Sequence, residues 1–273
     1  MQNSLKFLII GDISGNLGLA MLEAYLGKLK ERYKVDGIIV NGENAGNQGK
    51  GITPKIVTFM KNLGVNVITS GNHIWAKREI LPYLASNTDL LRPANFPAGC
   101  PGVGVTTFDV AGISVGVVNV QGRIFMRELL DCPFKTMDSI LTYLKDKTNK
   151  IIVDIHAETT SEKIGMGLYL DGRVSAVVGT HTHVQTADER VLPKGTAFIT
   201  DLGMVGALDC MIGMKKEPIL GNMLTQMPHK FEVCTDAPAV LAGVVVEVDK
   251  VSGKALDIQR VRIVDEDIKP IRM

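Results

Sequence analysis

The chain has 273 residues, with 30 Lys+Arg against 29 Asp+Glu for a formal charge of +1. Hydrophobic residues at 45% and charged residues at 22% are ordinary for a globular protein and exclude disorder over most of the length. So small a net charge supplies no field for phosphate backbones or anionic lipid, and strong nucleic-acid binding is not expected. No apolar run approaches the ~18 residues a membrane helix needs. The longest, Ala239–Val248, already contains Glu247, and Met1–Ile10 is too short for a signal peptide. Cys100, Cys132, Cys210 and Cys234 form no Cys-x-x-Cys pair, which disfavours a zinc knuckle, a redox dithiol or a disulfide scaffold. The expectation is a soluble, reduced, cytoplasmic protein, with homo-oligomerisation left open.

Phe7–Ile10 is a buried-strand run that stops at Gly11-Asp12. Leu17–Tyr33 has helical spacing, with Leu19, Leu22, Leu26 and Leu29 on one face. Gly37–Val40 is the next strand and stops at Asn41-Gly42-Glu43-Asn44. Thr53-Pro54 has the cap-plus-proline pattern that opens a helix, and Val65–Ile68 is a third strand ending at Ser70-Gly71-Asn72-His73. Strand and helix alternating this tightly predict βαβ units with parallel pairing. Val103–Val110 and Ile113–Val120, split by Ala111-Gly112, read as a hairpin. Phe134–Leu144 reads as a helix, then Ile151–Ile155, Ser175–Val178 and Thr196–Ile199 as strands. Val240–Val248 and Ala255–Val264 are strands joined around Ser252-Gly253. No repeat or low-complexity linker marks a boundary, so the pattern predicts one α/β domain over residues 1–273, with two sheets and helices outside.

Five apolar strand runs each deliver a residue able to bind a metal: Asp12, Glu43, Asn72, His156 and His181. The carboxyl ends of parallel strands are where open α/β sheets place ligands. Four of the five histidines, His73, His156, His181 and His183, directly follow such runs. In an extended chain, residues two apart point the same way, so His181-Thr182-His183 is expected to aim two imidazoles at one site. Histidine nitrogen, carboxylate and amide oxygen without thiolate suit Fe, Mn or a catalytic Zn. The candidates are too many for one tetrahedral ion. A pair of ions about 3.5–4 Å apart, bridged by a carboxylate and a hydroxide, is an arrangement that serves phosphoester hydrolysis.

Gly11-Asp12, Gly42-Glu43-Asn44, Gly71-Asn72-His73, His156 and Gly179-Thr180-His181-Thr182-His183 together resemble the ordered signature of calcineurin-like metallophosphoesterases. Within them the chain resembles the bacterial YmdB-like phosphodiesterases, through Gly42-Glu43-Asn44-Ala45, Lys50-Gly51-Ile52-Thr53 and the run from Tyr169 to Arg190. The resemblance implies a four-layer α/β/β/α sandwich of two mixed sheets flanked by helices. It also implies two divalent or trivalent ions, Fe or Mn. Asp12 and His183 would hold the first, and Asn72, His156 and His181 the second, with Glu43 bridging. Two positions depart from the broad pattern: Ser14 stands where Asp-x-His has its histidine, and Glu43 where the bridge is usually Asp. The YmdB-like group shares both and recruits the neighbouring amide, here Asn44. A bridging hydroxide would then attack phosphorus in line, and His73 would protonate the leaving alkoxide. The implied substrate is a small phosphodiester, a cyclic nucleotide with 2′,3′-cyclic AMP and GMP favoured. No substrate-binding residue is assigned.

Each motif alone has a plainer explanation. Asp12 could be a turn residue or helix cap, Asn72 a left-handed turn residue, and His156 a bonded core residue. Only their joint occurrence at strand ends favours a site. The Gly-rich stretch 45–51 lacks a P-loop ending and reads as a flexible wall. Trp75 and the Met-rich stretch Met204–Met227 read as packing, and Arg123 as either a phosphate contact or a surface residue. A phosphomonoesterase or nuclease on the same metals is the alternative enzyme. A regulatory metal-binding protein with incidental turnover is the non-enzymatic one.

Overall fold

The computed structural model describes residues 3–273. Met1 and Gln2, the first two positions of the expected 1–273 domain, lie outside the described residues. In chain order the elements begin with β1 (Ser4–Ile10), β2 (Asp12–Ile13), α1 (Gly15–Tyr33), β3 (Gly37–Asn41), α2 (Pro54–Asn62) and β4 (Val67–Thr69). A short 3₁₀ turn leads into α3 (Leu81–Ser86), followed by β5 (Val105–Val110), β6 (Ile113–Gln121), α4 (Pro133–Leu144), β7 (Ile151–His156), α5 (Thr160–Leu170) and β8 (Ala176–Thr180). The chain continues through β9 (Arg190–Val191), β10 (Ala197–Ile199), β11 (Met204–Ala207), α6 (Lys216–Thr225), β12 (Ala239–Asp249) and β13 (Ala255–Asp265).

Among the described residues the strands form two mixed sheets. The first, of seven strands, runs β2-β11-β12-β1-β3-β4, with β13 on the other edge of β12. The second, of six, runs β5-β6-β7-β8-β10-β9. The expected βαβ pairing is present, since β1, β3 and β4 are parallel neighbours. Likewise β6, β7, β8 and β10 are parallel. The expected hairpins are β5–β6 and β12–β13, both antiparallel.

The parallel strands β1, β3, β4, β7 and β8 are buried on both faces, which is why they read as unbroken apolar runs and not as alternation. In β1, Leu8 and Ile10 point into a core shared with α1 and α2. Phe7 and Ile9, one step away, point into a second core against Val117, Ile152 and Val178 of the other sheet. A third core packs α4 and α5 on the far side, through Met137, Ile140 and Met166. The result is the α/β/β/α sandwich of two mixed sheets, with the carboxyl ends of both sets of parallel strands on one edge. Thr53 caps α2 as its pattern predicts, accepting from the Ile56 N–H at 3.3 Å.

Candidate active site

Strand ends from both sheets bring the expected residues to this edge. Asp12 follows β1, Glu43 and Asn44 follow β3, Asn72 and His73 follow β4, His156 closes β7, and His181 and His183 follow β8. Asp12, Glu43, Asn44 and His156 are buried. His73, His181, His183 and Asn44 border a cavity of about 500 Å³.

His156 sits at the centre. Its Nδ1 is 3.0 Å from the Thr180 hydroxyl, which lies 2.7 Å from Asp154 Oδ1. The hydroxyl gives its one proton to the carboxylate and accepts from Nδ1–H, so Nε2 presents a lone pair. That lone pair faces His181 Nδ1 at 3.1 Å and Asn72 Oδ1 at 3.2 Å, with Glu43 Oε1 at 3.7 Å. His181 Nε2 is 3.1 Å from Glu158 Oε2, which accepts a hydrogen bond from Nε2–H and leaves Nδ1 as an acceptor too. Acceptors facing acceptors repel unless a cation lies among them. Separations near 3.1 Å are those of adjacent ligands about 2.1 Å from one ion.

Other oxygens nearby have no partner. Asp12 Oδ1, Glu43 Oε2 and Asn44 Oδ1 are buried without a hydrogen bond, a costly state for a polar atom. Asp12 Oδ2 accepts from the His181 N–H at 3.2 Å. Among the described residues no three His, Cys, Asp or Glu side chains already close around a point. The convergent trio is instead two imidazoles and an amide. The donor set and its orphaned oxygens fit a cation.

Burial, and then the charges of Asp201 and Asp154, hold the Asp12 carboxyl well above the usual range. Burial likewise pushes Asp154 up to about 6, against hydrogen bonds from Thr69, Thr180 and Asn41. Burial lowers His156 strongly, helped by His181 and Lys163, and also lowers His181 and His183. The imidazoles are therefore neutral at pH 7, the form that binds metals. His73 donates its backbone N–H to Glu43 Oε1 at 2.6 Å, and its ring Nδ1 lies 2.9 Å from the same oxygen.

The His-Thr-His segment is not extended as expected. His181 has φ 96° and His183 φ 64°, so the two imidazoles reach the cavity from a left-handed turn. The turn is fastened from below. Asp201 accepts from the Thr182 hydroxyl at 2.6 Å and from its N–H at 3.2 Å. The Lys163 ammonium donates to Asp201 at 2.7 Å and to the Thr182 hydroxyl at 3.0 Å. Both Lys163 and Asp201 are fully buried. His183 Nδ1 lies 3.0 Å from the Ile212 carbonyl. Gly71 lets the backbone pass against the His156 ring, where any Cβ would overlap the imidazole.

Sequence reasoning missed Glu158, Asp154, Thr180, Lys163 and Asp201. Asp154, Glu158, Thr180 and Asp201 are single polar residues in or just after apolar strands and carry no periodic signal, and Lys163 is buried in a helix whose glycines break its apolar stripe. Of the Met-rich stretch read as packing, Met211, Met214 and Met223 line the cavity. The 45–51 loop does wall the cavity, through Gly49 and Lys50. Trp75 packs edge-on to Phe96 at 4.6 Å, and Arg123 borders a separate hollow with Phe134 and Glu162.

Two α/β layers with a His, carboxylate and amide cluster at one edge define the calcineurin-like metallophosphoesterase fold. A wider likeness shows that fold alone: a putative 5′-nucleotidase of Staphylococcus aureus, 15% identical, aligns with a TM-score of 0.61 over 97% of this chain and 55% of its own. Residues 8–261 match the family described as YmdB-like protein, and the chain belongs to that family. It is 46% identical over 262 residues to a 2′,3′-cyclic-nucleotide 2′-phosphodiesterase of Bacillus subtilis, covering 96% of this chain and 98% of that one. A crystal structure of a novel phosphatase from Mycoplasma pneumoniae is 37% identical, with a TM-score of 0.91 over 98% of this chain and 96% of its own.

Proposed function

We propose that the protein is a metal-dependent phosphodiesterase that opens the 2′,3′-cyclic phosphate of nucleotides, AMP and GMP foremost. The observation that carries this reading is the meeting of His156 Nε2, His181 Nδ1 and Asn72 Oδ1 beside the orphaned Asp12 and Glu43 oxygens. The B. subtilis relative's activity supports the substrate class. Asn72, His156 and His181 would hold one ion, and Asp12, Asn44 and His183 a second, with Glu43 between them. Nitrogen and oxygen donors without thiolate suit Fe or Mn. When bound, such a pair lowers the pKa of water toward 7 and neutralises charge gathering on the phosphoryl oxygens.

The chain's own residues do the rest. Thr180 and Asp154 hold the proton at His156 Nδ1, and Glu158 holds the one at His181 Nε2, so each ring keeps one fixed tautomer. Glu43 holds the His73 backbone through its N–H, with the ring Nδ1 2.9 Å from the same oxygen. From the cavity wall, His73 donates a proton to the departing ribose oxygen as the phosphorus–oxygen bond breaks. Lys50, on the same wall, offers a cation to the phosphate. Four free cysteines support a reducing compartment, the cytoplasm, as the place of action.

A phosphomonoesterase on the same residues is the second reading, supported by the M. pneumoniae relative described as a phosphatase. Hydrolysis of 2′,3′-cyclic AMP and of 3′-AMP by protein reconstituted with Mn²⁺ or Fe²⁺ tests both, with Glu43→Gln as control. Ring opening that the variant loses supports the diesterase. Turnover of the monoester alone supports the second reading, and turnover of neither overturns both.

A further inference from the structure

The cavity beside the site has two unlike ends. One presents His73, His181, His183, Lys50 and Glu158. The other is walled by a single stretch, residues 208–234, which supplies Met211, Ile212, Met214, Ile219, Met223 and Phe231. Several of these are oddly exposed for their chemistry, with Met223 59%, Ile212 51% and Phe231 48% accessible. The stretch is held by backbone hydrogen bonds together with the Lys215–Glu232 ion pair at 2.9 Å. Met211 and Met214 exchange N–H···O=C bonds of 2.8 and 3.0 Å around a turn whose central residues, Ile212 and Gly213, have φ 47° and 92°. Lys215 donates to the Glu232 carbonyl at 2.8 Å, and Cys234 to the Gly213 carbonyl at 3.0 Å. The tip carbonyl, that of Ile212, receives His183 Nδ1 at 3.0 Å, so the apolar wall is tied to the polar end.

A ligand that fills this space needs a phosphate at one end and an apolar, flat body at the other. About 500 Å³ lies within the range of small-ligand pockets, roughly 300–1,000 Å³. Flexible thioethers pack well on the faces and edges of aromatic rings. We infer that the 208–234 stretch is the nucleobase subsite of this enzyme, with Met211, Met214, Met223 and Phe231 holding the ring. The assignment rests on the phosphodiesterase reading above. It also fixes a limit on specificity. The wall's side chains are thioether, aliphatic and phenyl, with no amide, hydroxyl or charge to read a base edge. A hydrophobic wall of this kind separates related ligands only weakly. The enzyme thus demands a base but separates purines only weakly, with adenine and guanine esters differing by less than about 100-fold in kcat/KM.

Two measurements on the full chain test this. Steady-state kinetics compare 2′,3′-cyclic AMP with the 2′,3′-cyclic phosphate of methyl riboside, which lacks the base. The expected result is a KM at least about tenfold higher for the base-free ester with kcat little changed, as for loss of uniform binding. Met223→Ala and Phe231→Ala, both at exposed positions, shrink that KM ratio. Equal KM values for the two esters in wild type, or variants that leave the ratio intact, overturn the assignment. In parallel, metal-free protein with ¹³C-methyl methionine is titrated with adenosine, which has no phosphate. The Met211, Met214 and Met223 methyl signals shift if the subsite is real, and unmoved signals overturn it. If the methyls shift while no cyclic ester is hydrolysed, the subsite stands and the phosphodiesterase reading fails.

Discussion

The buried pair beneath the His-Thr-His turn offers the sharpest test of how this site is supported. Lys163 and Asp201 are both fully buried, with Nζ 2.7 Å from Oδ2. Lys163→Met keeps most of the stem's volume and removes the charge. Asp201 then remains buried with three donors, the Thr182 hydroxyl, the Thr182 N–H and the Gly203 N–H. Breaking a buried pair from one side costs about 3–5 kcal/mol, and the surviving donors put this case near the lower end. Lys163→Met/Asp201→Asn removes the stranded charge and regains roughly half of the loss. Guanidinium chloride unfolding of the metal-free proteins at pH 7 measures both steps. Because Thr182 loses a tether, the single variant also retains less metal after desalting than the wild type. A single variant within about 1 kcal/mol of wild type, or a double variant no more stable than the single, refutes the reasoning.

Three further outcomes follow from neighbouring geometry. Gly71→Ala drives a methyl into the buried His156 ring, costs about 1–3 kcal/mol, and lowers bound metal by elemental analysis; a stable variant with full metal contradicts the close approach. Thr180→Val strips the partner from His156 Nδ1 and weakens metal binding about 10–100-fold by competitive titration, while Thr180→Ser restores it; equal affinity in all three proteins sinks the tautomer relay. Burial raises Asp154 to about 6, above the ~4 of an unfolded chain, so its contribution is full below pH 4 and is lost as pH rises through 6. Metal-free Asp154→Asn lacks that fall between pH 4 and 6, and melting temperatures that track wild type at every pH contradict it.

Some elements were hidden from the sequence for identifiable reasons. Helix α5 carries Gly165 and Gly167 and buries Glu162 and Lys163, which breaks the apolar stripe that betrays a helix. Its support is tertiary: Phe198 packs where a side chain at position 167 would stand, Asp201 neutralises Lys163, and the Arg123 and Ile124 N–H groups satisfy Glu162. Helix α6 escaped because it buries only Ile219 and so has no periodic core face. The methionines around it were read as core because composition does not distinguish a packed thioether from one lining a cavity.

Residue order alone determined the parallel strands, the helices α1, α2 and α4, and the set of candidate metal-ligating side chains at the strand ends. Those features depend on local periodicity and on the rule that strand ends gather at one edge. The left-handed turn at His181 and His183, the Asp154–Thr180–His156 relay and the Lys163–Asp201 anchor were decided only in the tertiary structure. Each joins groups many residues apart, and in a buried, low-dielectric setting a hydrogen bond or charge is settled by what the fold brings against it.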